Sequence, residues 1–147
     1  MSAIGPILLV EDDPDDRELT IMSLRDSNIA NAIDVVRDGP EALSYFTDPA
    51  RPLPAVILLD LQLPRTSGLD VLKRLREDQR TRLVPIVMLT SSNEESDRQR
   101  SYDSGANAYV CKPVDFEGFT EAMRTLGLFW LVVNAPPPPP PVSTPGR

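Results

Sequence analysis

Four short apolar runs punctuate the chain: Ile7-Leu8-Leu9-Val10, Ala55-Val56-Ile57-Leu58-Leu59, Ile86-Val87-Met88-Leu89 and Ala108-Tyr109-Val110-Cys111. They are strand-length and bulky, and they do not alternate with polar residues. Such runs suit strands covered on both faces, as in a parallel sheet. A weaker run, Ile33-Asp34-Val35-Val36-Arg37, is more polar and fits an edge strand.

Helical patterns separate the runs. Asp13, Pro14 and the acids that follow mark a helix start. They predict a helix over 14–27, with Leu19, Met22 and Leu24 as its buried face. A second helix is predicted over 40–46, with Ala42, Leu43 and Phe46 apolar. Ser67 stands three residues before Asp70, as in a capping box, and opens a helix over 67–76 that buries Leu69, Val71, Leu72 and Leu75. A mostly polar helix spans 94–104 and stops at Gly105. The last, over 115–130, carries Phe119, Ala122, Met123, Leu126 and Trp130 at helical spacing.

Strand and helix thus alternate five times. That order predicts an α/β fold with a parallel sheet and right-handed crossovers. One domain is expected over 5–130, and 131–147 is an extension with a Pro-rich tail. Its proline run at 136–141 can only be extended. The residues after Trp130 are too few for an independent output domain.

Composition narrows the function. The 147 residues are 41% hydrophobic and 25% charged, an ordinary soluble mix. A net charge of −7 argues against a dedicated nucleic-acid binder. The chain has no histidine, which excludes imidazole catalysis, His-ligated zinc and a phosphohistidine on this chain. The single cysteine, Cys111, excludes an internal disulfide and is expected as an inert buried thiol in a reducing cytoplasm. No signal peptide is legible. The late apolar run at 128–133 is too short to span a bilayer, so no membrane partner is expected.

The chemistry lies just past the apolar runs. Val10 leads into Glu11-Asp12, Leu59 into Asp60, Leu89 into Thr90 and Cys111 into Lys112-Pro113. Sites in open parallel sheets form beyond the carboxyl ends of the strands. Three carboxylates, a hydroxyl and an ammonium therefore meet on one rim. Like charges ~4 Å apart at an effective dielectric of ~20 cost about 4 kcal/mol per pair. The cluster calls for a cation or raised pKa values. Hard oxygen ligands suit Mg²⁺ (or Mn²⁺), and a lysine supplies a point charge for phosphate. The site reads as metal-assisted phosphoryl chemistry with a carboxylate acceptor. Asp13, Asp15, Asp16 and Glu18 are read more simply as acids favoured at a helix N-terminus.

With these residues in view, the chain resembles the receiver domain of two-component response regulators. The match rests on Leu8-Leu9-Val10-Glu11-Asp12-Asp13, Leu59-Asp60-Leu61-Gln62-Leu63-Pro64, Leu89-Thr90-Ser91 and Lys112-Pro113. The resemblance implies a doubly wound, flavodoxin-like (βα)5 sheet of strand order 2-1-3-4-5. It implies Asp60 as phosphoacceptor from a partner histidine kinase. Asp12 and Asp60 would ligate the metal, Glu11 would hold a metal-bound water, and the Gln62 backbone carbonyl would complete the protein ligands. Lys112 would bind the phosphoryl group. Thr90 would turn its hydroxyl onto it, and Tyr109 would swing inward behind. Gln62 and Ser92 stand where the family tunes the phosphate's lifetime, and Lys112-Pro113 is expected as a cis bond. The output surface would be 94–104, 108–111 and 115–130.

The segment from Leu126 to Asn134 is apolar nearly all round, more than one buried stripe needs. It resembles the C-terminal extension of regulators paired with phytochrome-type histidine kinases, as does the opening Glu11-Asp12-Asp13-Pro14-Asp15-Asp16. That resemblance implies a bacterial phytochrome as partner and a homodimer through Leu126, Phe129, Trp130, Leu131 and Val133. Three rivals stay open. An aspartyl phosphatase of the haloacid dehalogenase type would carry a second acid two residues after its nucleophile, where this chain has Gln62. A receiver-like binding module would take no phosphate. A phosphate sink would have no output.

Overall fold

Each apolar run forms the strand it predicts. The computed structural model describes residues 5–26, 29–91, 94–112 and 116–125. The strands are β1 (Ile7–Val10), β2 (Ile33–Val36), β3 (Val56–Asp60), β4 (Ile86–Thr90) and β5 (Ala108–Cys111). The helices are α1 (Pro14–Asp26), α2 (Gly39–Tyr45), α3 (Gly68–Glu77), α4 (Glu95–Asp103) and α5 (Phe116–Thr125). Every ladder is parallel, in the order β2-β1-β3-β4-β5. This is the expected doubly wound sheet.

Every residue of β1, β3 and β4 is buried, which is why these runs show no polar alternation. One face packs Leu8, Val10, Leu59 and Met88 with Ala42 and Tyr45 of α2 and Leu72 and Leu75 of α3. The other packs Ile7, Leu9, Leu58 and Leu89 with Leu24 of α1. β2 lies at the sheet's edge and is only partly covered, as its polar residues foretell. Its Asp34 accepts a hydrogen bond from the Tyr45 hydroxyl at 2.6 Å.

Helix ends follow the sequence. Asp13 Oδ1 accepts from the backbone N–H groups of Asp15 at 2.8 Å and Asp16 at 3.2 Å. Ser67 Oγ accepts from Asp70 N–H at 3.2 Å, the N-cap of α3. Gly105 follows α4 with φ +109°, a conformation that favours glycine. Arg76 near the end of α3 donates to the carbonyls of Gly105 (2.9 Å) and Val84 (2.7 Å) and to Asn107 Oδ1 (2.8 Å). It clasps the amino ends of β4 and β5 to α3, far from the rim that carries the acids.

Two expectations are corrected. In α1, Leu24 and Thr20 are buried, whereas Leu19 and Met22 are about half exposed. The helix turns a stripe containing a threonine toward the core. Cys111 is exposed, because it is the last residue of the edge strand β5. Several expectations lie outside the described residues: Leu126, Phe129, Trp130, Leu131 and Val133, the tail at 136–141, Ser92 and Pro113. The same holds for the side chains of Phe119, Ala122 and Met123.

Candidate functional site

The register of the sheet assembles the site. β1 pairs with β3 so that Val10 lies opposite Leu59, and the next residues, Glu11 and Asp60, emerge side by side. The ladders continue one step past the strands. Glu11 N–H donates to the Val36 carbonyl at 3.0 Å, Leu61 N–H to Leu89 at 2.9 Å and Lys112 N–H to Thr90 at 2.7 Å. Backbone hydrogen bonds thus fix the residues that gather at this rim.

Gly68 tightens this further. A Cβ at that position would come within 2.0 Å of the Asp60 carbonyl oxygen. Its N–H donates to the Leu61 carbonyl at 2.9 Å. The start of α3 therefore packs directly on the Asp60 main chain. Glycine is a poor helix former, and its place at the first position of α3 was the available sequence signal.

Lys112 stands at the centre. Its Nζ donates to Glu11 Oε1 at 2.7 Å, Asp16 Oδ2 at 2.9 Å and Asp60 Oδ2 at 3.0 Å. The other Asp60 oxygen accepts from Gln62 N–H at 3.0 Å, and Glu11 Oε2 accepts from Asp13 N–H at 3.2 Å. A cleft of about 480 Å³ opens over this group, lined by Glu11, Asp12, Asp16, Asp60, Gln62 and Lys112 among others.

Burial and charge set the electrostatics. Burial is the main cause that pushes Glu11 up to about 7, and the neighbouring Asp60 carboxylate adds to the rise. The Lys112 ammonium and the Asp13 N–H pull it partly back. Burial lowers the Lys112 ammonium, but its three carboxylate partners outweigh burial and hold it above the ordinary lysine range.

Carboxylate oxygens of Glu11, Asp12 and Asp60, one from each, lie within 4.8 Å of one another. A compact set of hard anionic oxygens, one of them on an exposed residue, fits Mg²⁺ or Mn²⁺.

The remaining expected residues take different places. Thr90 ends β4 fully buried, and its neighbour Ser91 lines the cleft. Gln62 is exposed and contributes its backbone. Tyr109 is buried, with the Arg98 guanidinium 5.0 Å from its ring centroid. Asp16 lies in the first turn of α1, as the sequence predicts. Its side chain also joins the site through Lys112, a contact across 96 positions that no local pattern announces.

Residues 7–124 match the family model of the response regulator receiver domain. The chain belongs to that family. Among solved structures, the receiver is similar to the bacteriophytochrome response regulator RtBRR, with 51% identity and a TM-score of 0.81. That match covers 92% of this chain and 86% of the other. It is similar to the bacteriophytochrome response regulator AtBRR at 47% identity and a TM-score of 0.80, over 90% of this chain and 99% of that one. Response regulator Rcp1 of Synechocystis sp. is 33% identical, over 85% of this receiver and 88% of Rcp1. An Mn²⁺-bound crystal structure of Rcp1 superposes with a TM-score of 0.71 at 32% identity, covering 90% of this chain and 99% of that one. The receiver is thus a component of two-component signalling. Among its described residues, no helix is long and apolar enough to cross a membrane.

Proposed function

We propose that the receiver takes a phosphoryl group on Asp60 from a phytochrome-type histidine kinase and signals by docking to a partner or pairing with a second copy. One observation carries this reading. A carboxylate at the end of β3 holds one donor on each oxygen, Gln62 N–H and Lys112, inside an acidic cleft open to solvent.

In the transfer, an Asp60 oxygen forms the bond to phosphorus as the donor's P–N bond to imidazole breaks. The bonding pair leaves with the imidazole, which takes up a proton. Lys112 donates to the transferred oxygens, and Thr90 follows with its hydroxyl. Asp12 and Asp60 would hold Mg²⁺ directly, with Glu11 through a water and Gln62 through its backbone carbonyl; the ion would offset charge on the phosphoryl oxygens. The chemistry is limited to gaining and losing one phosphoryl group. Gln62 stands where a phosphatase of the rival class would carry its general acid.

The likeness to RtBRR and AtBRR supports the phytochrome-type kinase. It also supports reading 5–130 as the receiver and 131–147 as an extension; the setting we read as cytoplasmic. For output, a cleft of about 400 Å³ lined by Tyr102, Tyr109, Val110 and Glu121 lies where α4, β5 and α5 meet, the face expected to dock partners. Tyr109 would report the state of Asp60 to that face. The homodimer through Leu126, Phe129, Trp130, Leu131 and Val133 rests on their apolar pattern.

The deciding experiment is incubation with MgCl2 and acetyl phosphate, read by intact mass. The wild type should gain one phosphoryl group and Asp60→Asn none. Equal labelling of both would overturn Asp60 as acceptor.

A further inference from the structure

An ammonium has three N–H donors, and in this receiver all three of those of Lys112 are engaged, by Glu11, Asp16 and Asp60. A phosphoryl group arriving on Asp60 needs a donor from Lys112, so one contact must be given up.

The three acceptors are not equivalent. Glu11 is fully buried, and releasing it would strand a buried carboxylate without its cation. Asp60 is itself the group that carries the phosphoryl. Asp16 is 36% exposed and can pass from Lys112 to water at little cost. It is also not one of the three residues, Glu11, Asp12 and Asp60, whose oxygens can gather round a cation.

We propose that Asp16 is a positioning residue that holds the third N–H of Lys112 until the phosphoryl group claims it. Asp16 then acts in two ways, both against the occupied state. It competes for the Lys112 proton, and its negative charge repels the incoming anion. The proposal rests on reading Asp60 as the acceptor. Asp15 provides the internal control. It is one residue away on the same helix turn and carries the same charge, but its exposed side chain is not among the acceptors of Lys112.

The test titrates the full chain with beryllofluoride, which takes the place of a phosphoryl group on a carboxylate oxygen. MgCl2 is present, and ¹⁹F NMR gives the half-saturating concentration. Asp16→Asn should lower it about fivefold, the size expected for one partly exposed charge pair. The gap should narrow at high salt. Asp16→Glu should stay near the wild type, and Asp15→Asn should match it. Asp16→Ala tests the same point should the Asn variant fold poorly. No shift in Asp16→Asn and Asp16→Ala, a shift to weaker binding, or an equal shift in Asp15→Asn overturns the role of Asp16 while Asp60 stands as acceptor. A wild type that never saturates overturns both readings together.

Discussion

Lys112 and Asp60 leave strands that are not neighbours, β5 and β3, with β4 between them. Yet the Lys112 ammonium reaches Asp60 Oδ2 at 3.0 Å. The long lysine stem crosses one strand's width and joins the two halves of the rim. Lys112→Gln should therefore remove the charge that offsets Glu11 and Asp60. Labelling by acetyl phosphate should slow by about tenfold or more, since a hydrogen bond to a charged group contributes about 1.5–3 kcal/mol. Labelling kinetics followed by intact mass check this.

Glu11 should titrate unusually in the metal-free protein. Its folded-state pKa is raised from an ordinary 4.5 to about 7, chiefly by burial. The folded state therefore binds this proton more tightly than the unfolded chain does. The stability Glu11 contributes is full below about 4.5 and is lost as pH rises through about 7. Melting temperature should fall between about pH 5 and pH 8, and Glu11→Gln should flatten that slope. Identical slopes in the two proteins would refute the assignment.

Gly68→Ala should disturb Asp60, the acceptor proposed above. The new Cβ has backbone 2.0 Å away, and backbone cannot swing aside as a flexible side chain would. A loss of about 1–3 kcal/mol is expected from forced overpacking, with slower labelling of Asp60. Denaturant unfolding alongside acetyl phosphate labelling would show both. A variant as stable and as reactive as the wild type would contradict the packing described.

Arg76 offers the opposite case, stability without chemistry. Its guanidinium is partly desolvated and bonds to carbonyls at the amino ends of β4 and β5. Arg76→Ala should cost about 2–4 kcal/mol, the scale of a broken buried polar network. Arg76→Lys should not rescue it, because a point charge cannot match the planar fork. Labelling of the folded fraction should remain unchanged.

Pairing through the C-terminal segment predicts that light scattering gives twice the mass of one chain. Trp130→Asp should return a single chain. A wild type that stays monomeric at tens of micromolar, a range typical of transient pairing, with and without acetyl phosphate, would remove the homodimer.

Much of this molecule was legible from its apolar runs. Continuous burial erases polar alternation, so β1, β3 and β4 announced a parallel sheet and their ends announced Glu11, Asp60 and Thr90. The α1 helix was harder, because Leu19 and Met22 offered apolar side chains to a face that the fold left in water. Cys111 was misplaced because apolar character says nothing of a strand's place at an edge. The contact of Asp16 with Lys112 was hidden for another reason: a helix N-terminus accounts for an acid there by itself, and only the tertiary fold brings Lys112 to it.

Finally, Lys112 reaches the Asp60 carboxylate from across the sheet, but the backbone beneath that carboxylate is held by main chain. Gln62 N–H, the Leu61 ladder and the bare Cα of Gly68 set its position. Gln62, Pro64 and Arg65 are exposed, and the Arg65 guanidinium turns away to Asp38 at 2.7 Å. The loop thus separates placement from tuning. Its exposed residues can change, and the Asp60 carboxylate need not shift when they do.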